Sequence, residues 1–435
     1  MKDLTLIQLN ELNFDIVKKY IERNPKKLKT FSYLISKFNY RETHSEKEYK
    51  LLEPWIQWVS AYTGTDAKDH SMFHIGDTKN LNKETIFDYL EKKNIEQGMI
   101  SPMNFYSDSK KYSYFISDPW IKNDSYGDIY LDKISIAISN IINNNSIKNQ
   151  LSLAKSYLWI IFSILKYAKI SNYFLYIKLI VGSISRKWFK PLLLDLLLSD
   201  IHLSLRKQKK IEFTSIFLNA GAHIQHHYLI NSIENSKNKR NPKWYLSKND
   251  DPFKDMLVVY EVILKNIVLN KGKKIVATGL TQKLFKNPIY YYRLNNHEDF
   301  LKKIDISFKN VNPRMSRDFL ITFDKIDDLI NCKKILSSIF NKKKNKRVFE
   351  ILDSVSETEL FVSLTYPYEI KKSSSFINLS NNEEIKIFKD VSFVAIKNAD
   401  HDQKGFLFTD LNKKFLKKNF HIKDIKCLIE SYYET

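Results

Sequence analysis

Short apolar runs alternate with polar clusters along much of the chain. The first run, LTLIQL (4–9), ends at the polar cluster NELNFD (10–15). Three later stretches repeat this arrangement: EFTSIFLNAGAH (212–223), KKIVATGL (273–280) and KDVSFVAIKNADH (389–401). Segments with helical spacing of their apolar residues lie at 14–24, 85–94 and 255–270. Strand-length runs that alternate with amphipathic helices predict an α/β fold with a mostly parallel central sheet flanked by helices.

The polar clusters that follow these strands are expected to meet. The strands of a parallel sheet all end at the same edge, and ligands bind beyond their carboxyl ends. We therefore predict one site formed by the clusters at 10–15, 219–227, 278–282 and 400–405.

Two segments depart from this pattern. Residues 151–205 are apolar and aromatic with interspersed lysines, but no apolar run reaches the roughly 20 residues that span a bilayer. This pattern favours a helical insertion, which either packs on the core or a partner chain or lies on a membrane surface. Residues 283–390 mix strand-like and helical pieces, which indicates an additional α+β portion. The core is then assigned to 1–150, 206–282 and 391–435.

Composition narrows the classes of partner. The net charge of +21 favours molecules that carry phosphate, although lysines that only solvate helices would give the same balance. The lysine-dense stretch NKKKNKR (341–347) lacks interleaved aromatic residues, so we predict no nucleic-acid partner. The chain has no G-x-G-x-x-G or Walker motif, which argues against dinucleotide and P-loop chemistry.

Two features of the sequence bear on the cellular compartment in which the protein is found. The cysteines, Cys332 and Cys427, are far apart in sequence and show no metal-ligand spacing. The first residues form a strand pattern rather than a basic and apolar leader. Both features predict a cytoplasmic protein, placed at the inner face of the membrane if residues 151–205 contact lipid.

Two polar groups near the first strands are candidates for substrate contacts. In NELN (10–13), Glu11 can act as a general base or accept a hydrogen bond from a sugar hydroxyl, with Asn10 and Asn13 beside it. The alternative is that these side chains cap the following helix. Glu53 and Gln57 lie among tryptophans, a set that suits sugar or nucleotide binding, or that belongs to the core.

The stretch NAGAHIQHHY (219–228) contains three of the ten histidines. On a helix, His223 shares a face with either His226 or His227. Three interpretations remain open: a single transition-metal site with a carboxylate, a neutral histidine acting as general acid or base, and histidines that only support the fold.

Arg314 and Arg317 are three residues apart in NPRMSRDF (312–319). Two guanidinium groups at this spacing can clamp a phosphate or a carboxylate. Surface salt bridges are the alternative use of the pair.

The order of these motifs resembles the alkaline phosphatase superfamily, especially its phosphodiesterase and nucleotide pyrophosphatase branch. The segment PWIQWVSAYTGTDAKDH (54–70) places four residues where that family has its Trp, Thr-Gly and His: Trp58, Thr63, Gly64 and His70. Asn219 and His223 keep the spacing of the family's Asp and His ligands, and His401 matches its last His. The resemblance implies the family's α/β fold and a phosphate-binding site.

The chain departs from the family at the residues that perform its chemistry. Pro54 stands at the position of the nucleophile, and Asn10 and Asn219 replace two aspartates. The stretch VATGLTQ (276–282) has neither residue of the family's Asp-His pair. Because paired divalent ions need several carboxylates, the resemblance implies that the usual two-metal mechanism is lost.

Our first functional hypothesis is a metal-independent glycosyltransferase of bacterial surface polysaccharide synthesis. It would use a nucleotide sugar, or another phosphorylated small molecule, and a glycan acceptor. Glu11 or His223 would deprotonate the acceptor, while Arg314, Arg317 and His401 neutralise the leaving phosphate.

Two alternatives remain open. One is a metal-dependent phosphodiesterase or phosphatase that holds a single divalent ion with Glu11, His223, His227 and His401. The other is a non-catalytic protein that binds a partner or a membrane through residues 151–205.

Overall fold

The computed structural model describes residues 2–109, 111–143, 150–208, 210–235, 240–314, 317–353 and 358–435. Contacts between residues divide the chain into two compact units. Unit 1 comprises Met1–Leu284 and Ala399–Thr435, and unit 2 comprises Phe285–Asn398. Unit 2 is therefore inserted in the sequence of unit 1.

The strands are numbered along the chain. They are β1 (Leu4–Leu9), β2 (Asn39–His44), β3 (Gln97–Ile100), β4 (Tyr114–Ile116), β5 (Phe213–Leu218), β6 (Lys273–Ala277), β7 (Thr281–Leu294), β8 (Asn310–Pro313), β9 (Asp318–Thr322), β10 (Ile339–Asn341), β11 (Lys346–Arg347), β12 (Phe349–Asp353), β13 (Glu359–Leu364), β14 (Phe376–Asn378), β15 (Glu383–Ile385), β16 (Val391–Asp402), β17 (Lys404–Thr409) and β18 (Phe420–His421).

The α-helices are numbered in the same way. They are α1 (Phe14–Arg23), α2 (Lys29–Lys37), α3 (Pro54–Thr63), α4 (Ala67–His70), α5 (Ile86–Lys92), α6 (Leu131–Asn143), α7 (Gln150–Tyr167), α8 (Tyr173–Gly182), α9 (Phe189–Gln208), α10 (Ala220–Tyr228), α11 (Pro252–Val268), α12 (His297–Lys303), α13 (Ile326–Ser337) and α14 (Asp424–Glu434).

The central sheet of unit 1 has the strand order β18-β2-β17-β6-β1-β5-β3-β4. Strands β6, β1, β5, β3 and β4 run parallel to one another. Strand β17 is antiparallel to both β6 and β2. The predicted α/β fold with a mostly parallel sheet is confirmed by this topology.

Strand β1 lies at the centre of the sheet, and all six of its residues are buried. Its side chains alternate between the two faces, as the pleat of a strand requires. Leu4 and Leu6 belong to one hydrophobic cluster, which includes residues of α3, α5 and α14. Ile7 and Leu9 belong to the other, which includes residues of α1, α9 and α11. Helices on both faces explain why the strand is apolar throughout.

The segment 151–205 is helical and forms most of α7, all of α8 and most of α9. Helix α9 is largely buried, with Leu192, Leu196 and Ile201 fully inaccessible to solvent. None of the described helices combines the length and hydrophobicity that crossing a bilayer demands.

Unit 2 is an α+β structure with a core of its own. Its two four-stranded sheets have the orders β11-β10-β14-β15 and β12-β13-β9-β8, and the registered strand pairs in both are antiparallel. Helices α12 and α13 pack with them around Phe319, Leu336 and Val362. The paired strands β7 and β16 carry the chain from unit 1 into unit 2 and back.

Candidate metal centre

The loops after β1, β5 and β6 meet at the carboxyl edge of the central sheet. The backbone N–H of Asn10 donates to the Leu218 carbonyl at 3.0 Å, and that of Glu11 donates to the Thr278 carbonyl at 2.9 Å. The Asn10 amide also donates to Asn219 Oδ1 at 2.7 Å. The edge of the sheet therefore brings three separate polar clusters together, as parallel topology requires.

Glu11 lies at the centre of this meeting point. Its side chain is buried and its backbone is left-handed, with φ of 59°. A non-glycine residue in this conformation is strained unless its surroundings hold it. The Gln225 amide donates to the Glu11 backbone carbonyl at 2.8 Å, and the N–H contact to Thr278 holds the other side. The turn thus aims the carboxylate across the edge of the sheet.

Two amide groups orient the carboxylate. The Asn10 amide donates to Glu11 Oε1 at 3.1 Å, and the Gln282 amide donates to Oε2 in a short hydrogen bond. Gln282 is fully buried and lies at the start of β7. Because amide N–H groups donate to a carboxylate, both contacts favour its ionised form.

Two histidines face the same oxygen atom. Nε2 of His226, on α10, lies 3.1 Å from Glu11 Oε2, and Nε2 of His401, on β16, lies 3.2 Å from it. The two Nε2 atoms are 3.2 Å apart. Glu11, His226 and His401 thus place three ligand atoms at the corners of a nearly equilateral triangle. In the described part of the chain, this is the one group of three His, Cys, Asp or Glu side chains close enough to share an ion.

The outer ring nitrogens of both histidines face acceptors. Nδ1 of His226 lies 3.4 Å from the Ala399 carbonyl, and Nδ1 of His401 lies 3.6 Å from Glu53 Oε2. A carbonyl oxygen and a carboxylate can only accept, so each contact favours a proton on Nδ1. In the neutral imidazoles, both Nε2 lone pairs then point at the Glu11 oxygen. Three lone pairs this close repel one another unless a cation or protons lie between them.

The electrostatics of Glu11 reflect the same crowding. Burial by itself raises the pKa of the Glu11 carboxyl. The charges and hydrogen bonds of His401 and His226 outweigh burial and hold this pKa well below its usual range. Glu11 is therefore a buried anion at neutral pH, and positive charge beside it, on the two histidines or on a bound cation, balances it.

The dimensions of the triangle fit a transition-metal ion. Zinc binds histidine nitrogen and carboxylate oxygen at about 2.0–2.2 Å. Ligands at that radius lie about 2.8–3.1 Å apart in octahedral geometry and about 3.3–3.6 Å apart in tetrahedral geometry. The three sides here measure 3.1, 3.2 and 3.2 Å, between those two ranges. Two histidines and one carboxylate on one face form a known ligand set for such ions. The outer contacts to Ala399 and Glu53 match the usual support of metal-binding histidines.

The other predicted residues of unit 1 have distinct surroundings. Asn13 caps α1 through Oδ1, which accepts from the backbone N–H groups of Asp15 and Ile16. Gln57 is buried in α3, where its amide donates to the Leu51 carbonyl. Asn219 precedes α10 and accepts from Asn10. Asn13 and Gln57 thus have structural contacts, while Asn219 and Glu53 lie beside the triangle.

His223 and His227 are also on α10 but lie outside the triangle. Their rings are 4.8 Å apart, as expected for residues one turn apart. His223 is solvent-exposed. The structure therefore brings His226, rather than His223 or His227, to Glu11 and His401.

Arg314 and Arg317 belong to unit 2. Arg314 is exposed, and its backbone N–H donates to the Asp318 carbonyl at 2.8 Å. The guanidinium of Arg317 lies over the Tyr291 ring, 4.2 Å from its centroid. Their use as an anion clamp stays a prediction.

The segment that resembles the family's nucleophile region (54–70) forms α3, the turn after it and α4. Pro54 is the first residue of α3, and Gly64 ends that helix with φ of 70°. His70 is buried: its Nδ1 accepts from the Met72 N–H and its Nε2 donates to Ser60 Oγ at 3.0 Å. Its pKa is lowered to about 4 by burial, so His70 is a neutral residue that supports the fold.

Sequence reasoning did not select two residues of the centre, His226 and Gln282. His226 was present in the histidine-rich stretch, but the spacing of the resembled family pointed to His223. Gln282 follows β6 in a stretch that carries neither Asp nor His, so nothing in its sequence marked it as a partner of Glu11. The polarity of the cluster at 278–282, directly after a buried strand, was the available signal.

No protein-family model matches the chain, and no curated protein matches it. Solved structures similar to the chain include phosphonoacetate hydrolase from Sinorhizobium meliloti, at 8% identity and a TM-score of 0.46, covering 99% of this chain and 96% of the other. Human ectonucleotide pyrophosphatase/phosphodiesterase 5 has 11% identity and a TM-score of 0.40, covering 100% and 95%. A mutant of the alkaline phosphatase PafA has 12% identity and a TM-score of 0.44, covering 99% and 95%.

Proposed function

We propose that Glu11, His226 and His401 hold one divalent transition-metal ion, and that the protein is a metal-dependent hydrolase of phosphoric esters. The observation that carries this proposal is the triangle of Glu11 Oε2 and two Nε2 atoms with sides of 3.1–3.2 Å. A bound cation accounts for the convergence of these three ligand atoms and takes the place of the protons that would otherwise balance Glu11.

When bound, the ion would act as a Lewis acid and would lower the pKa of a water molecule towards neutral pH. The chain's own residues have separate tasks. Glu11 supplies the negative charge, and Asn10 and Gln282 hold its carboxylate in place. Glu53 and the Ala399 carbonyl orient the imidazoles of His401 and His226.

The substrate class is supported by charge and by the order of motifs. A net charge of +21 favours anionic substrates. Pro54 occupies the place of the resembled family's nucleophile and has no hydroxyl group. Water is therefore the expected nucleophile. Asn219 lies at the same edge of the sheet, where its Oδ1 accepts from the Asn10 amide.

The proposal is tested by metal content and by activity together. Protein purified without chelator is analysed for zinc, manganese, iron and cobalt, and assayed with bis(p-nitrophenyl) phosphate and p-nitrophenyl phosphate. We expect about one ion per chain, as a three-ligand site predicts, with hydrolysis that a chelator removes and added metal restores. Glu11→Gln should lose both ion and activity, whereas His44→Ala, an exposed histidine on β2, should keep both.

The same assays distinguish the glycosyltransferase hypothesis, which stays a prediction from the sequence. Nucleotide sugars are supplied with and without an oligosaccharide acceptor. Turnover that requires the acceptor and survives chelation would favour glycosyl transfer over hydrolysis. A full metal content in Glu11→Gln would contradict the proposed ligand set.

A further inference from the structure

Helices α7 and α8 each carry a stripe of apolar side chains that faces solvent. On α7 the stripe consists of Leu151, Ala154, Leu158, Ile161 and Leu165. On α8 and its two ends it consists of Ile170, Phe174, Ile177, Val181 and Ile184. Both sets follow the spacing of three and four residues that places side chains on one face of a helix.

These stripes lie opposite the faces that pack on the protein. On α7 the buried apolar side chains are those of Ile164 and Tyr167, and on α8 those of Tyr176 and Leu179. The outward side chains remain open: Leu158 is 66% exposed and Phe174 81% exposed. Contiguous apolar surface of this kind is uncommon on a protein that stays in water and marks a binding surface.

The charged residues of the segment itself have one sign, although Asp128 pairs with Lys166 and Asp250 with Arg186. Residues 150–190 contain no Asp or Glu, and their basic residues are Lys155, Lys166, Lys169, Lys178, Arg186, Lys187 and Lys190. Lys155 follows Leu151 by four residues and Lys178 follows Phe174 by four, so each lies at the edge of a stripe. Apolar side chains flanked by lysines are the pattern of helices that lie in the interface of a membrane.

We propose that α7 and α8 dock on the surface of an anionic phospholipid bilayer. The apolar stripes enter the headgroup region, and the flanking lysines bind lipid phosphates. Neither helix is long and apolar enough to cross the bilayer, so contact is at the surface. A second copy of this chain is a poorer occupant, because the two segments would each bring seven basic residues and no acidic residue of their own.

This inference goes beyond the proposed function and is independent of it, since vesicle binding needs neither metal nor turnover. The full chain is mixed with vesicles of phosphatidylcholine alone and of phosphatidylcholine with phosphatidylglycerol, and bound protein is separated by flotation. We expect binding to the anionic vesicles that weakens as salt is added, and at least about tenfold weaker binding to neutral vesicles.

Two sets of variants separate the apolar and the basic contributions. Leu158→Ser with Phe174→Ser should weaken anionic binding at least about tenfold, because two large apolar side chains no longer enter the lipid. Lys155→Gln with Lys178→Gln should weaken it by about tenfold on anionic vesicles only. The matched controls are Leu269→Ser, 56% exposed on unit 1, and Lys83→Gln with Lys418→Gln, both exposed. Neither control should change binding.

Because every altered side chain is exposed, the variants should keep the wild-type melting temperature, which is checked first. Equal binding to neutral and anionic vesicles at all salt concentrations would overturn the proposal. Wild-type binding to anionic vesicles by the variant with Leu158→Ser and Phe174→Ser would also overturn the proposal. A lipid-free dimer that this variant dissociates, seen by light scattering, would assign the surface to a second copy instead.

Discussion

Metal-linked stability is the most direct test of which histidine belongs to the centre. The perturbation is His226→Ala, which removes one corner of the triangle and leaves Glu11 and His401 in place. Because an ion that binds only the folded protein stabilises it by mass action, free metal at about 100 times its Kd adds about 2.7 kcal/mol. The variant should lose this gain.

The expected shift in melting temperature follows from the size of unit 1. Unit 1 contains about 320 residues, which gives an unfolding entropy of about 0.7 kcal/mol per degree. A gain of about 2.7 kcal/mol then raises the melting temperature by about 4 °C. Differential scanning calorimetry with and without zinc measures the shift for each variant against its own metal-free form.

The matched control is His223→Ala, which removes an exposed histidine from the same helix. It should keep the full shift, because His223 lies outside the triangle. A shift that survives in His226→Ala would refute the geometric argument. A shift lost only in His223→Ala would restore the ligand assignment suggested by the spacing of Asn219 and His223.

Three further results are expected. Gln282→Leu removes the amide that orients Glu11 and should weaken metal binding by about 10–100-fold, measured by competition with a chelating dye; unchanged affinity would exclude this support role. Trp58→Phe removes the hydrogen bond from Trp58 Nε1 to buried Asn10 Oδ1, 2.9 Å long, and should lower the free energy of unfolding by about 1–3 kcal/mol in urea titrations. Burial lowers the pKa of His202 to about 3, below the value near 6.5 of an unfolded histidine. The unfolded state then binds more protons as pH falls below 6.5, so wild-type stability decreases with falling pH. His202→Asn should lose about 2 kcal/mol less than wild type between pH 7 and pH 5, and identical losses would contradict the buried neutral histidine.

The sequence was sufficient to predict the sheet and the edge at which the site lies. Apolar runs such as LTLIQL are buried on both faces, which is a property of central parallel strands. Since such strands end at one edge, the meeting of Asn10, Asn219 and Thr278 follows from topology alone. The convergence of the clusters therefore required no knowledge of side-chain packing.

The choice among the histidines could not be made in the same way. A helix of nine residues presents His223, His226 and His227 in different directions, and only its packing decides which direction faces β1. In α10, buried Gln225 binds the Glu11 carbonyl and fixes the rotation of the helix. The spacing of the resembled family points to His223 as the ligand, whereas the rotation of α10 about its axis turns His226 towards Glu11.

The roles of Asn13 and Gln57 were also beyond the sequence. The side-chain amides of Asn and Gln can donate and accept hydrogen bonds, so they suit sugar hydroxyls and backbone N–H or carbonyl groups equally well. Asn13 caps α1 and Gln57 binds the Leu51 carbonyl, so each satisfies a local backbone group. Which partner an amide finds depends on distances that composition and spacing do not contain.

The insertion of unit 2 has a consequence for the order of biosynthesis. Glu11 and His226 precede Phe285–Asn398 in the chain, and His401 follows it. A ribosome must therefore translate all of the inserted unit before the third ligand exists. Nascent or prematurely terminated chains that stop within unit 2 cannot complete the triangle, so loading of the ion would report that translation has passed residue 401.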